Sequence, residues 1–389
     1  MTAQQDIPLI ATTQALQNFC NEVATDTYIT VDTEFLRETT YYPKLCLIQI
    51  AGSHAAALID PLAPGIDLAP FFALMADTRI LKVFHAARQD IEILVNMANL
   101  VPQPVFDTQI AAMVCGFGDQ VGYEAIVRKL VGAQIDKSSQ FTDWSRRPLT
   151  HKQMAYALSD VTHLRVVYEG LNDQIAKSNR SHWLEGELQD LANPDVYRVD
   201  PEQTWRRIKA RIQNKKQQAT LMAVTAWRER EAQNKNVPRG RILKDEAIGE
   251  IAIQVPQSVE ALQQLRLLPK GSADSVIGKG ILKAVAEGLS RDPQTIPSPK
   301  GRGEELTASQ EAAAEVLKLA LKIISERESV AAKLLASSAD IDAIAVDDAA
   351  DVAAMRGWRR AVFGDLALAL KHGKALIGLE NGRAKIVMK

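Results

Sequence analysis

The first half of the chain alternates hydrophobic patterns typical of strands with patterns typical of helices. Apolar runs bounded by turn residues predict four strands, at 28–35, 45–51, 55–60 and 80–85. A helix is predicted over 88–97, because Ile91, Leu94 and Val95 recur at helical spacing. Strands that are joined first by short turns and later through helical segments indicate a mixed α/β sheet.

From about Asp200 onward the strand patterns give way to helical ones. Residues 205–232 and 273–290 have helical periodicity, and a last helical region extends over 306–386. The segment 291–303 is rich in proline and glycine and has no apolar periodicity, which is typical of a linker. The sequence therefore predicts an α/β domain followed by two small all-α domains, with bounds at 1–200, 201–292 and 304–389.

Composition and charge narrow the class of protein but not its activity. Hydrophobic residues make up 47% and charged residues 24% of the chain, as in ordinary globular proteins. The 46 basic and 47 acidic residues nearly cancel, so net charge indicates no particular partner. Cys20, Cys46 and Cys115 are far apart, which argues against a disulfide framework or a zinc site. Because neither a signal-peptide pattern nor a long apolar run occurs, we expect a cytoplasmic protein without membrane contact.

Two acidic residues on the first predicted strand are candidates for chemistry. Asp32 and Glu34 are two residues apart, so their side chains point to the same face of the strand. Among apolar neighbours, two adjacent carboxylates are costly unless a cation lies between them. The alternative is a strand end whose acids face water. A third acid, Asp90, follows a later strand at the start of a helix, where it either joins this site or only interacts with the helix dipole.

A tyrosine and an aspartate lie four residues apart in the helical segment 151–168. This spacing places Tyr156 and Asp160 one turn apart on one face of the helix. That face is otherwise largely apolar, so the aspartate needs a partner. The alternative for the tyrosine is an ordinary core position.

Taken together, these residues resemble the three exonuclease motifs of the DEDD superfamily, and a tyrosine four residues before the last aspartate marks its DEDDy branch. The histidine branch would need a histidine where Ala155 stands. Further segments resemble the ribonuclease D family in the right order, namely VDTEFLRETTYYPKLCLIQIA, KVFHAARQDIEIL, FDTQIAA, VGYEAIV, FTDWSRRPLT and YALSDV. With the helical tail, the resemblance covers nearly the whole chain.

The resemblance implies a ribonuclease H-like mixed-sheet exonuclease domain followed by two all-α HRDC-type domains. It also implies two divalent metal ions, Mg²⁺ or Mn²⁺, which prefer the carboxylate oxygens that this set supplies. In this family Asp32 would bridge both ions, Glu34 and Asp160 would hold the one that activates water, and Asp90 would help to hold the other. Tyr156 would orient the attacking water. The implied product is a 5′-nucleoside monophosphate released from a 3′-hydroxyl end.

Two further sets of residues are predicted to contact the substrate. Phe35 and Leu36 follow the acid pair and would pack against the terminal base, as apolar residues there do in related enzymes. Four residues before the last motif are predicted to meet phosphate, namely Lys137, Gln140, Trp144 and Arg147. The alternative for Trp144 is an ordinary core position.

The helical tail begins with a run of basic residues that contains no acid, namely Arg206, Arg207, Lys209, Arg211, Lys215 and Lys216. The run is either a solvated helix face or an RNA-binding patch that follows phosphates. Residues 205–290 resemble an HRDC domain, and 306–386 resemble a second, more divergent copy without a comparable basic cluster. We expect that copy mainly to pack against the catalytic domain.

The sequence thus predicts a 3′→5′ exoribonuclease that trims RNA with an accessible 3′ end. The resemblance favours 3′ maturation of transfer RNA precursors and of other small structured RNAs, by a monomer. A DNA exonuclease is the alternative within enzymes, since the same metal site cleaves DNA. A helicase is excluded, because no G-x-x-x-x-G-K-[ST] loop occurs. A catalytically inactive RNA-binding scaffold is disfavoured by the presence of all five site residues.

Overall fold

A computed structural model describes residues 7–298 and 306–389. The chain forms two compact units, one comprising residues 1–34, 46–193 and 305–389 and the other comprising 35–45 and 194–304. The residues outside the described ranges include part of the predicted linker. Its residues 291–298 form neither helix nor strand.

The first unit is built on a six-stranded sheet in the order β1-β4-β3-β2-β5-β6. The strands are β1 (Leu9–Ile10), β2 (Tyr28–Leu36), β3 (Lys44–Ala51), β4 (Ala56–Ile59), β5 (Leu81–Phe84) and β6 (Val105–Asp107). β3 and β4 pair antiparallel, whereas β1 pairs parallel to β4, and β5 pairs parallel to both β2 and β6. The mixed sheet and its four predicted strands are confirmed. β1 and β6 were not predicted, because runs of two or three residues carry no periodicity.

Seven helices accompany this sheet: α1 (Thr13–Val23), α2 (Ala69–Ala76), α3 (Arg88–Ala98), α4 (Thr108–Val114), α5 (Tyr123–Leu130), α6 (His151–Lys177) and α7 (Ser181–Ala192). The predicted helix at 88–97 is confirmed as α3. α6 begins with a capping box, in which Thr150 and Gln153 satisfy each other's backbone amides. Ala157, Val161 and Leu164 are buried along one face of α6, which fixes the rotation of the helix about its axis.

The sheet register brings several strand ends together. Thr30 pairs with Val83, so β2 continues past the end of β5 at Phe84. Phe84 in turn pairs with Asp107, the last residue of β6. β2, β5 and β6 run parallel, so their carboxyl ends lie at one edge of the sheet, where ligand sites of α/β proteins form.

The second unit contains α8 (Lys215–Lys235), α9 (Arg239–Ile242), α10 (Asp245–Gln254), α11 (Val259–Gln263) and α12 (Val276–Leu289). The prediction of a helix from residue 205 is wrong at its start. Residues Pro201–Arg207 form a 3₁₀-helix, and α8 begins only at Lys215, where the Asn214 side chain accepts from the backbone amide of Gln217. Most of the basic run therefore lies before the helix and does not share a helix face.

The C-terminal region belongs to the first unit. It contains α13 (Ala308–Glu328), α14 (Ala332–Leu335), α15 (Ser338–Val346), α16 (Gly357–Arg359) and α17 (Asp365–Lys371). The expected packing against the catalytic domain is present: the Ala331 amide donates to the Met113 carbonyl at 2.9 Å, and the rings of Trp183 and Trp358 stack with centroids 4.3 Å apart. Gly116, with φ of +77°, lies against the Ser329 backbone, where a Cβ would approach the carbonyl oxygen to 2.5 Å.

The helical prediction for 306–386 is wrong at its end. Residues 375–388 form an antiparallel hairpin of β7 (Ala375–Glu380) and β8 (Arg383–Met388). Asn381 and Gly382, with φ of 52° and 75°, form the two-residue turn, a pair typical of tight hairpins. No helix in the described ranges is both long and apolar enough to cross a membrane.

Candidate active site

The first pair of acids lies on β2 past the end of its partner strand β5, and both residues are partly exposed. Asp32 and Glu34 flank Thr33, whose hydroxyl donates a hydrogen bond to the Asp90 carboxylate. Asp90 is buried in the first turn of α3. The side chain between the two strand acids therefore holds the third acid in place.

The turn before α3 is fixed by a fourth carboxylate. Asp107, at the end of β6, accepts hydrogen bonds from the backbone amides of Ala86, Ala87 and Gln109 at 3.0, 2.9 and 2.8 Å. Ala86 has a left-handed φ of 60°, a conformation that costs free energy for a residue with a Cβ. The two hydrogen bonds to Ala86 and Ala87 stabilise this turn and thereby set where α3 begins and where Asp90 projects, whereas the one to Gln109 caps the N-terminus of α4.

The last acid comes from the middle of α6. The Thr30 hydroxyl lies 2.8 Å from the Val161 carbonyl oxygen, and the Tyr123 hydroxyl donates to the Asp160 carbonyl. These contacts join α6 to β2 and α5. One carboxylate oxygen of Asp160, Oδ1, is buried and has no hydrogen-bond partner among the described residues.

A small cavity of about 110 Å³ separates the helix from the strand. Its walls are formed by Asp32, His85, Tyr123, Tyr156, Asp160 and Leu164. His85 Nδ1 lies 2.9 Å from the Thr108 hydroxyl, and burial lowers the pKa of this imidazole. Two acids, two phenols and a histidine thus line one cavity that is large enough for only a few atoms.

Burial raises the pKa of all four carboxyls, and neighbouring carboxylates add to the rise at Asp32, Glu34 and Asp90. Burial and then the charge of Asp160 raise the pKa of Asp32 to about 8, and burial raises that of Asp160 to about 7 against an opposing hydrogen bond from Tyr156. Burial, followed by the charges of the other three acids, raises the pKa of Glu34 to about 10. The pKa of Asp90 is also raised, by burial and then by Asp32.

This donor set fits a hard divalent cation. Carboxylate oxygens are the ligands that Mg²⁺ and Mn²⁺ prefer, and a cation removes the repulsion that raises these pKa values. The unpartnered Asp160 Oδ1 has the free lone pairs that a metal ligand needs. In the two described ranges, no three acidic, histidine or cysteine side chains already stand in the arrangement of a metal site.

The predicted substrate residues divide into exposed and interior ones. Phe35 and Leu36 are half-buried directly after the acid pair, Gln140 is exposed, and Lys137 is exposed but paired with Glu124 at 2.7 Å. The base contacts of Phe35 and Leu36 and the phosphate contacts of Lys137 and Gln140 stay predictions.

Trp144 is buried, and Arg147 is half-buried and held by several hydrogen bonds. The Arg147 guanidinium donates to both Asp60 oxygens at 2.6 and 2.7 Å and to the carbonyls of Cys46 and Trp144. Trp144 is 2% exposed, with its ring centroid 6.2 Å from that of Tyr156. Both residues pack the segment that leads into α6, and their phosphate contacts stay a prediction.

The six residues of the basic run are all exposed, so each is accessible to a ligand. They are Arg206, Arg207, Lys209, Arg211, Lys215 and Lys216. Lys209 and Arg211 also line an open cavity of about 620 Å³ that carries Glu246 and Glu250. The patch therefore combines cations with nearby acids, and its role in RNA binding stays a prediction.

Several residues that shape the site have no role predicted from the sequence. Thr33, His85, Asp107 and Tyr123 occur within the quoted family segments, but their contacts join residues that are far apart in sequence. The signal that could have found them is a polar residue within an otherwise apolar family segment, because such a residue needs a hydrogen-bond partner once it is buried.

An α/β sheet with four acids and a tyrosine at one edge defines the class of 3′–5′ exonucleases. The sequence model of the 3′–5′ exonuclease family matches residues 7–176, and that of the HRDC domain matches residues 217–285. The second HRDC-type domain over 304–389 stays a prediction.

Similar proteins identify the family of this chain more specifically. Ribonuclease D of Nitrobacter hamburgensis is 50% identical over 96% of this chain and 98% of its own length, and that of Gluconacetobacter diazotrophicus is 46% identical over 98% and 96%. The crystal structure of Escherichia coli RNase D, described as an exoribonuclease involved in structured RNA processing, superimposes with a TM-score of 0.80 at 30% identity, covering 95% of this chain and 99% of that one. The chain belongs to the ribonuclease D family and is a 3′–5′ exoribonuclease.

Proposed function

We propose that this exoribonuclease hydrolyses RNA from the 3′ end to 5′-nucleoside monophosphates with two divalent metal ions held by Asp32, Glu34, Asp90 and Asp160. The observation that carries the proposal is the convergence of these acids: Asp32 and Asp160 line one cavity, and Asp90 is held by the hydroxyl of Thr33, which lies between Asp32 and Glu34 on β2. Burial raises the pKa of all four carboxyls. Asp32 is suited to bridge two ions, because it interacts with both Asp160 and Asp90. When bound, two ions supply charge neutralisation, activation of water and stabilisation of the leaving oxygen.

Tyr156 orients the attacking water through its hydroxyl. Burial and then Asp160 raise the pKa of Tyr156 above its ordinary value, so the phenol stays protonated at neutral pH and is a hydrogen-bond partner and not a base. The ring of buried Trp144 lies beside that of Tyr156 and limits its movement. Phe35 and Leu36 pack against the terminal base, and Lys137 and Gln140 contact phosphate.

Metal titration by calorimetry tests the ligand set. We expect the wild-type chain to bind about two Mn²⁺ ions and to release protons, because carboxyls with pKa values of about 7 and about 8 must ionise. Asp32→Asn should lose this binding, while Asp136→Asn, at an exposed acid, should keep it. Equal Mn²⁺ binding by wild type and Asp32→Asn would exclude the proposed ligand set.

The natural substrates that we propose are transfer RNA precursors and other small structured RNAs, processed by a monomer in the cytoplasm. Support comes from the description of the E. coli relative as acting in structured RNA processing and from the thiols of Cys20 and Cys115, which form no disulfide within the described residues and suit a reducing compartment. A transfer RNA precursor with a 3′ extension should be shortened to the acceptor stem. An intact precursor beside a degraded unstructured RNA would reject this substrate class.

A further inference from the structure

The C-terminal hairpin has two chemically different faces. Ile377 pairs with Ile386 and Leu379 with Ala384, and these residues point to one side. Ile377 and Ile386 pack against the hydrophobic core of the first unit. Because side chains alternate along a strand, the intervening residues must all point away from that core.

The outer face is exposed along its whole length. It consists of Lys374, Leu376, Gly378 and Glu380 on one side and of Arg383, Lys385, Val387 and Lys389 on the other. The Lys389 amide donates to the Lys374 carbonyl at 2.9 Å, which extends the pairing to the two terminal lysines. Four cations and one acid therefore share one small surface in a chain whose net charge is −1.

Most of this charge is not neutralised by the protein. Lys385 pairs with Glu380, whereas Lys374, Arg383 and Lys389 form no ion pair within the described parts of the chain. The acidic stretch nearest in sequence does not compensate, since its Asp348 pairs with Lys371 and His372. The exposed Leu376 and Val387 lie between the cations, where they form an apolar strip about one cross-strand pair wide.

We propose that this outer face is a second RNA-binding surface, which contacts the phosphate backbone of the substrate upstream of its 3′ end. The proposal rests on the exoribonuclease activity. A polyanion fits the surface best, because unpaired cations at both ends of a flat ribbon match a continuous row of charges. The hairpin belongs to the same compact unit as the acidic site, so a contact here holds the RNA on the catalytic body itself.

Charge reversal of two unpaired cations tests the proposal. We expect Lys374→Glu/Arg383→Glu to weaken binding of a 30-nucleotide RNA about tenfold at low salt and to reduce the slope of log Kd against log salt by about 1.4, since two phosphate contacts are lost. Turnover of a trinucleotide should stay within about twofold, because so short a substrate does not extend beyond the acidic site. Lys322→Glu/Lys333→Glu, the same change on exposed lysines of α13 and α14, should leave both properties unchanged.

Three outcomes would overturn the proposal. They are an unchanged affinity and salt slope, an equal loss in both double variants, and a wild-type chain that self-associates in sedimentation while the hairpin variant does not. Lys374→Gln/Arg383→Gln is the control for misfolding. It should also weaken RNA binding and lower the salt dependence, each by less than the charge reversal does, while its Tm stays unchanged. If the wild-type chain does not hydrolyse the trinucleotide, the exoribonuclease activity itself is rejected.

Discussion

The Thr30 hydroxyl donates to the Val161 carbonyl across 2.8 Å, and both residues are buried. Thr30 precedes Asp32 by two residues on β2, and Val161 directly follows Asp160 on α6. A single side-chain hydrogen bond thus sets the position of one acidic motif relative to another 128 residues away in sequence.

Thr30→Val keeps the shape of this side chain and removes its hydroxyl. The Val161 carbonyl loses that contact, so we expect the free energy of unfolding to fall by about 1–2 kcal/mol. The kcat should fall by about tenfold while the Kd for RNA changes little, because the acids shift relative to each other. Chemical denaturation and steady-state kinetics measure both effects. A full kcat at reduced stability would show that the hydrogen bond does not position the acids.

Tyr156→Phe removes only the hydroxyl that faces Asp160. We expect kcat to fall by about 10- to 100-fold, with Mn²⁺ and RNA affinities nearly unchanged, because the phenol positions water and ligates no metal. Single-turnover kinetics combined with calorimetry separates these quantities. Tyr168→Phe, at a tyrosine outside the cavity, is the matched control. Loss of Mn²⁺ binding in Tyr156→Phe would contradict the positioning role.

The raised carboxyl pKa values predict how metal-free stability depends on pH. Asp32, with an ordinary pKa near 4, has a pKa of about 8 in the folded chain, so between these values the folded state holds more protons than the unfolded state. Stability should therefore fall as pH rises from about 4 to about 8. In EDTA, the Tm of wild type should drop further between pH 5 and pH 8 than that of Asp32→Asn. Saturating Mn²⁺ should restore it, and parallel drops would contradict the assignment.

Arg147→Ala distinguishes a structural arginine from a phosphate ligand. The substitution leaves the Asp60 carboxylate, whose side chain is 8% exposed, without its partner. We expect the free energy of unfolding to fall by about 3 kcal/mol with an unchanged KM for RNA. Arg146→Ala, at an exposed neighbour, should cost under about 0.5 kcal/mol. A stable Arg147→Ala chain with a raised KM for RNA would contradict the structural role and support the phosphate contact that the sequence predicts.

Local spacing predicted that the acidic side chains of each motif share a face, and only the resemblance to the DEDDy exonucleases joined the motifs into one predicted site. The two-residue separation of Asp32 and Glu34 on a strand, and the four-residue separation of Tyr156 and Asp160 on a helix, follow from backbone geometry alone. The mixed sheet also followed from periodicity. The contacts that position these elements, such as that of Thr33 with Asp90, depend on chain crossings that no single segment encodes.

Composition led to wrong predictions of secondary structure in two other segments. The alanine-rich C-terminal region indicated helices throughout, yet its end forms a hairpin, because residues 375–388 alternate about an Asn-Gly turn. The basic run appeared helical from residue 205, but the 3₁₀-helix that starts at Pro201 and the cap at Asn214 delay α8. The ion pair of Arg147 with Asp60 could not be predicted, because a basic residue in a segment does not reveal a partner that is 87 residues away in sequence.

The most direct test follows the shortening of a 5′-labelled RNA with an unpaired 3′ end. We predict a ladder that shortens from the 3′ end with Mg²⁺ or Mn²⁺, is abolished by EDTA, and is much weaker on DNA of the same sequence. Asp32→Asn should slow it by about 100-fold or more. An RNA that stays intact with every metal while it still shifts in a gel would contradict the account and indicate a binding protein.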